Sequence, residues 1–520
     1  MKYLLLVLVA LSHGAVIGQH ILQTQRVEIP YKFTEENYLI ATAGEQGIIL
    51  FRESEERVSK KNVWEIKVID TNLDDKMDFK VEVEYKYEIL GYEYRNSVFY
   101  LLFDDTNSSK SEFLLVKSSI QTGDTEYHPI ANELAMDLSH LIINDKTVVL
   151  GGYINHRPSF MIFNYIQDKV QVVPGFFSSR SEVLDFNYDD NHKLYNVLMG
   201  QKNALNHNEL ALKSFDNNGK VIIDEKYEFD ENLRALNGKM IISETTQVVV
   251  AGSFAENNSY YSQGLYLGQL KAGKKLRVNK TLFSELDHLF DYMSPKRAAK
   301  MRQKAIDARK AGSKFEFKTQ AYVHQLYEQD GEFVVTSELY KPEFKDSPSP
   351  MSMGYSDLSS NEYRDNTGQK YVSKSSRLTN TDGASHIEYN ESMISGFDQN
   401  GKLLWDQSLP LHNVETLALE QVAQVNKKGD NLIMMYKQKN NIAYKVIDLA
   451  DNESNADSTM VISTFNELDE IDKSDDRQGK IQHWYGDNYI IWGYQKITNP
   501  SNTATEKKRS VFFINKLVVE

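Results

Sequence analysis

The chain contains no cysteine. That absence excludes disulfides, thiolate-bound zinc, thiol nucleophiles and a lipid-bearing N-terminal cysteine. An exported protein built this way must rely on its core, and 520 residues can supply one. Tryptophan is scarce too: 4 in the whole chain rule out a fold in which every repeat docks its own. After residue 20 no apolar run reaches the ~20 residues that a membrane-spanning helix needs. Positive charge is also short. With 59 Lys+Arg against 73 Asp+Glu the net charge is −14, which favours solubility and disfavours general binding to nucleic acid. No phosphate loop, nucleophile elbow, HExxH or EF-hand spacing occurs.

The first residues follow the order of an export signal: Lys2, the apolar run YLLLVLVAL (3–11), then small residues in SHGAVIG (12–18). Cleavage is expected after Gly18, leaving 19–520 as a single exported domain, secreted or periplasmic and not lipid-anchored.

SGFDQNGKLLWDQSL (395–409) sets a polar tip with Asn400-Gly401 between two apolar runs. It reads as strand, tight turn, strand, because glycine takes positive φ freely and asparagine tolerates it. The pattern recurs. Apolar runs bounded by turn formers appear at YLIATAG (38–44), VFYLLF (98–103), TVVLGG (147–152) and LYNVLMG (194–200). They continue at QVVVAGSF (247–254), EFVVTSE (332–338), NLIMMYK (431–437) and NYIIWGY (488–494). Their β-branched and aromatic content predicts strands buried on both faces. A second run follows each, as in IILFRES (48–54), and most then carry a polar tip and a weaker strand, as in DNNGKVIID (216–224). A further candidate strand precedes each first run, for example VLDFNYDD (183–190). Four antiparallel strands repeated in this way predict an all-β fold, a β-propeller of about eight four-stranded blades, with seven as the alternative. A solenoid would need capping repeats, and a sandwich rarely repeats one unit so often. The last unit, ending FFINKLVVE, lacks a fourth strand, while HILQTQRVEI (20–29) stands spare before the first. Pairing the two chain ends would close the ring.

Two insertions break the rhythm. Over 281–313 two helices are expected. Leu282, Leu286, Leu289 and Met293 recur at i, i+4, i+7 and i+11; Ser294 then caps a second helix with Pro295 in its first position and Gly312 at its end. Residues 341–387 are polar, contain Pro342, Pro348 and Pro350, and read as a long loop. Successive turns of a meander alternate between the two ends of the sheet, so both insertions are expected on one face, beside a single blade.

LFDYMSPKRAAKMRQKAIDARKAGSKFEFK, followed by YVHQLYEQDGEFVVTSELYKPEF and later by SGFDQNGKLLWDQSL, resembles secreted, β-propeller-like repeat proteins of Bacteroidota. These carry the same order: a basic helical pair, a Val-His strand, a Tyr-Pro segment and a Gly-Lys-Leu-Leu-Trp hairpin. The resemblance spans about residues 283–409 and implies fold and export; the group has no known activity. This chain departs from it in LYKPEF, where Lys341 separates Tyr340 from Pro342. FDQNGKLLWD is also similar to the tail of quinoprotein repeats. Asn400 stands where those have threonine, however, and DNNGKVIID has no tryptophan, so no quinone or other cofactor is expected.

Candidate chemistry is sparse. Asp216, Asn218 and Gly219 miss the register of a calcium loop and read as a turn with Gly219 at positive φ, so no metal is expected. The pair Gly151-Gly152 reads as a close backbone approach. His324, in AYVHQLY, alternates with Tyr322 and Leu326 on one strand face; it is a candidate base or ligand, set against an ordinary packed histidine. The 73 acids leave paired carboxylates open without locating them. One local charge anomaly exists. In the second helix of the insertion Lys296, Arg297, Lys300, Arg302, Lys304, Arg309 and Lys310 face a single acid, Asp307. This is a positive spot for an anionic glycan, phosphate or protein partner, set against a solvated face docked through Met301, Ala305 and Ala308. The expected function is non-catalytic: binding of a protein or anionic glycan through one loop-bearing face formed by Lys296, Lys300, Lys304, Arg309, His324, Tyr340 and Tyr355. The alternatives are a propeller enzyme acting on polysaccharide through paired carboxylates, and a structural component of the cell envelope.

Overall fold

A computed structural model describes residues 21–520 apart from 33, 106–111, 132–135, 177, 179, 230–231, 244–246, 257–258, 271–275, 314, 344–385, 417–418, 451–452, 455–456, 476–478 and 501–506. The expected leader 1–18 and nearly all of the polar insertion, Tyr355 included, lie outside the described residues. Eight antiparallel sheets follow one another along the chain, over 39–84, 87–131, 137–172, 181–228, 233–282, 320–416, 424–461 and 470–519. Numbered in that order they are blades one to eight. Strands are hydrogen-bonded in chain order, except that in blades five, seven and eight one edge strand is split into two pieces that pair with the same neighbour; first strands of neighbouring blades touch, as Leu39–Thr42 touches Tyr87–Arg95, which puts them at the centre. Blade eight takes its outer strand from the other end of the chain. Ile21–Pro30 pairs antiparallel with Lys508–Val519, Ile21 opposite Val519 and Pro30 opposite Val511. The chain is an eight-bladed β-propeller closed by its own ends.

Side-chain alternation explains why the repeated runs are apolar throughout. In Ile48–Val58, Ile48 and Leu50 enter the core shared with blade eight, while Ile49 and Phe51 enter the core shared with blade two. Such a strand has no solvent face to keep polar. One core fills each of the eight gaps between neighbouring blades, including the closing gap, where Trp484, Trp492 and Phe512 meet Ile48 and Leu50. Each fully buried Ile, Leu or Phe contributes about 1.5–3 kcal/mol, and each core needs both of its blades. Polar staples cross the same gaps near the ends of second strands. Tyr153 Oη accepts Val183 N–H at 2.9 Å, Tyr494 Oη accepts Tyr38 N–H at 2.7 Å, and Ser253 Oγ donates to the Ala321 carbonyl at 2.8 Å.

The turn between third and fourth strands carries the signature of the repeat. Asp70, Ser119, Asn164, Asp216, Asp398 and Asp448 stand at its start and accept backbone N–H bonds from residues just ahead. The expected tight Asn-Gly turn is therefore longer. Asp398 Oδ1 holds the Asn400 and Lys402 amides at 2.8 and 2.9 Å, and only Gly401, at φ +77°, is left-handed. A neighbouring blade also needs that glycine. A Cβ on Gly401 would lie 2.7 Å from Asn279 Nδ2, on the outer strand of blade five, which donates to the Asn400 carbonyl. Gly219, at φ +72°, faces Gln171 of blade three in the same way. The close approach read from Gly151-Gly152 is present, against the Phe160 ring and the Asp137 carbonyl.

Two expectations are corrected. YLIATAG holds the first strand of blade one, Leu39–Thr42, and not the expected second; IILFRES opens the second strand and Lys61–Ile69 is the third. The short, apolar inner strand looks like the second strands of the other blades. The first of the two helices expected over 281–313 does not form, for a reason that lies in blade six.

Candidate functional site

Both insertions rise from the same face. The first joins the outer strand of blade five, Arg277–Leu282, to the first strand of blade six, Gln320–Gln329. The second leaves the end of Glu332–Glu343 and returns at the start of His386–Phe397. Gln320 lies opposite Tyr340, so one insertion ends beside the strand that leads into the other. The outer three strands of blade six run on past this point, with Lys341 opposite Glu388 and Glu388 opposite Glu415.

Residues 283–294 fold onto the blade without becoming a helix. Phe283–Glu285 makes a single 3₁₀ turn, and Glu285 accepts the Leu282 N–H at 2.9 Å. Leu286, Leu289 and Phe290 then drop into the core between blades five and six, Phe290 at φ +74°. The amides that a helix would bond to its own carbonyls are taken by carboxylates. Asp406 accepts the Asp287 and His288 N–H groups at 3.0 and 2.8 Å, and Glu391 accepts those of Phe290 and Asp291, both at 2.7 Å. Apolar periodicity cannot register that competition. The real helix, α1 (Pro295–Lys310), has Ser294 at its N-cap, Pro295 in its first turn and left-handed Gly312 beyond its end, as expected. It seats Ala298, Ala305 and part of Met301 on the same core. Arg302 reaches back to the carbonyls of Asp287 and Leu289.

Burial pushes the Glu391 carboxyl up to about 8, and the Asp291 charge adds to it; the Phe290 and Asp291 amides and Ser408 pull the other way. Burial also raises Asp406, against the pull of the His288 and Asp287 amides. Tyr292 is pushed up to about 12 by burial, with the Glu391 charge adding. A raised carboxyl is what a general acid needs, yet Glu391 is 0% exposed and each of its oxygens holds a backbone amide. It anchors the loop. Glu338 does similar work on the other side of the blade, accepting the Val422 and Ala423 amides at 3.0 and 2.7 Å where the chain leads into blade seven. Among the described residues no group of three or more His, Cys, Asp and Glu could hold a metal ion.

The candidate residues divide between the two sides of blade six. Lys296, Lys300 and Lys304 line the exposed side of α1, and none is in an ion pair among the described residues. Arg309 pairs with Glu285 at 3.0 Å. Tyr340 packs against the core between blades six and seven, on the side away from α1. His324 sits in a β-bulge between Val323 and Gln325, which breaks the expected alternation and puts Leu326 with Ala321 and Val323 in the core facing blade five. Its Nε2 lies 3.0 Å from Glu338 Oε2 without hydrogen-bond alignment, so the imidazole belongs to the link into blade seven. Sequence reading missed Glu338, Glu391 and Asp406. Their signal was an acid set inside an otherwise buried strand, as in VVTSELY, YNESMIS and LLWDQSL.

The fold and this face define the chain as a β-propeller with a helix-bearing insertion between blades five and six. No protein-family model matches it, and no curated protein matches it. Among solved structures it is similar to the polysaccharide lyase Uly1, at 7% identity over 96% of this chain and 100% of that one, with a TM-score of 0.40. It is also similar to the β-propeller domain of the Trilobed protease from Pyrococcus furiosus, at 8% identity over 82% and 93%, TM-score 0.33. A protein from Lactobacillus plantarum matches at 8% over 79% and 95%, TM-score 0.36. Likeness at this level carries no activity across.

Proposed function

We propose that this propeller is an exported, non-catalytic binding scaffold that engages an anionic macromolecule through the face from which both insertions rise. One observation carries the reading: a protein of net charge −14 keeps three exposed lysines, unpaired among the described residues, in file along one helix, beside the ends of a long polar insertion. Such a local reversal of sign attracts anions that the rest of the surface repels. Long insertions on one face of a rigid scaffold are also where propellers carry specificity. Export is supported by the charged, apolar and small-residue order of 1–18. The buried carboxylates of blade six hold backbone, which removes them as catalytic acids. The test is sedimentation with cell-envelope material from the source organism. Wild-type protein should bind and be released by salt, and K296E/K300E/K304E should not bind. Equal binding by both proteins refutes the reading.

A further inference from the structure

The exposed side of α1 narrows the class of partner, and the step rests on the anionic-ligand reading above. Lys296, Lys300 and Lys304 recur every four residues, so their stems stand about 6 Å apart along the axis and about 12 Å from first to last. Stems spaced in this way present their charges as a row, whereas a single phosphate or carboxylate calls for convergent donors. Asp307, tied to Gln303 at 2.7 Å, ends the row on its C-terminal side. Two of the three arginines are taken up by the fold: Arg302 and Arg309 are turned to the Asp287 and Leu289 carbonyls and to Glu285, while Arg297 and the three lysines are exposed. Lysine is an orientation-tolerant point charge; arginine is the fork that would read one planar anion. Finally, the exposed positions of the helix, Arg297 and Ala299 included, carry no aromatic or large apolar side chain. A protein partner would find no group to bury as an anchor.

A charge row without an apolar anchor fits a ligand that is itself a row of charges. We propose that α1 binds an extended acidic polysaccharide carrying about one carboxylate or sulfate per sugar, laid along the helix across Lys296, Lys300 and Lys304. Binding of this kind is cooperative along the polymer and sensitive to salt. Three neutralised charges give a slope of log K on log salt of about −2 to −3.

The full exported chain, its K296E/K300E/K304E variant and a K296R/K300R/K304R variant are titrated with polygalacturonate, neutral dextran and poly-glutamate over a range of salt. The expected result is salt-dependent binding of polygalacturonate by wild type, a loss of about tenfold or more in the reversal variant, and retention in the arginine variant. Dextran should not bind. If poly-glutamate binds through the same three lysines and polygalacturonate does not, the polysaccharide class is wrong while the anionic-ligand reading stands. If no polyanion distinguishes wild type from the reversal variant, both fall. Unfolding curves that superimpose for the three proteins show that a loss belongs to the surface.

Discussion

Replacing Glu391 by glutamine sets two effects of known sign against each other. Both carboxylate oxygens hold an amide, from Phe290 and Asp291, in a place with no exposed surface. Glutamine keeps one acceptor and turns an NH₂ against the other amide, which costs roughly 2 kcal/mol at any pH. The carboxyl carries the opposite liability. Its folded-state pKa of about 8 lies above the ordinary 4.5, so the folded protein holds a proton that the unfolded chain releases. Its contribution is fully present below pH ~4.5 and is lost as pH rises to about 8, at about 1.4 kcal/mol per pH unit and about 5 kcal/mol in all. Asp406, also raised by burial, acts in the same direction in both proteins. Glu391→Gln should therefore be less stable than wild type near pH 5 and more stable near pH 8.5, crossing near pH 6. The assay is urea unfolding at several pH values, with hydrogen exchange of the 287–291 amides as a local readout. A constant deficit across that pH range would show that the amides hold Glu391 in the ordinary carboxyl range, and the reasoning would fail.

Deleting residues 21–30 removes Ile21 from the core between blades seven and eight, strips Glu28 from Arg509 and leaves Lys508–Val519 as an open edge. A loss of roughly 3 kcal/mol or more and a tendency to self-associate are expected, and an unchanged melting temperature would reject closure by the chain ends. Gly401→Ala should cost about 1–2 kcal/mol in denaturant unfolding. It combines a left-handed alanine with displacement of Asn279, less a small gain from a stiffer unfolded chain. N-terminal sequencing of protein recovered outside the cytoplasm should begin at Gln19, and intact Met1 on exported protein would remove export from the proposal.

Sequence alone determined the repeat and its closure. A strand buried on both faces has no solvent face to keep polar, so the second strands of all blades but the first, such as Thr147–Ile154 or Asn488–Thr498, announce themselves by an apolar run. Turns announce themselves by acids and glycines at fixed places. The spare strand at 20–29 matches the missing one, and meander geometry by itself puts both insertions on one face. Local capping signals likewise set α1 between Ser294 and Gly312. What depended on distant partners was not legible. The stripe from Leu282 to Met293 has a helical period, yet its amides belong to Asp406 and Glu391, 100 residues or more further along the chain. His324 stands in an ordinary alternating strand until a bulge turns it toward Glu338. Seven basic residues in one helix look equivalent in sequence, and only packing shows which are spent on carbonyls and acids and which are left to solvent. Periodicity and turn chemistry are local, so the chain displays them. Partnership between side chains and remote backbone is set by the fold, because packing decides which polar groups lose their water and must find another partner.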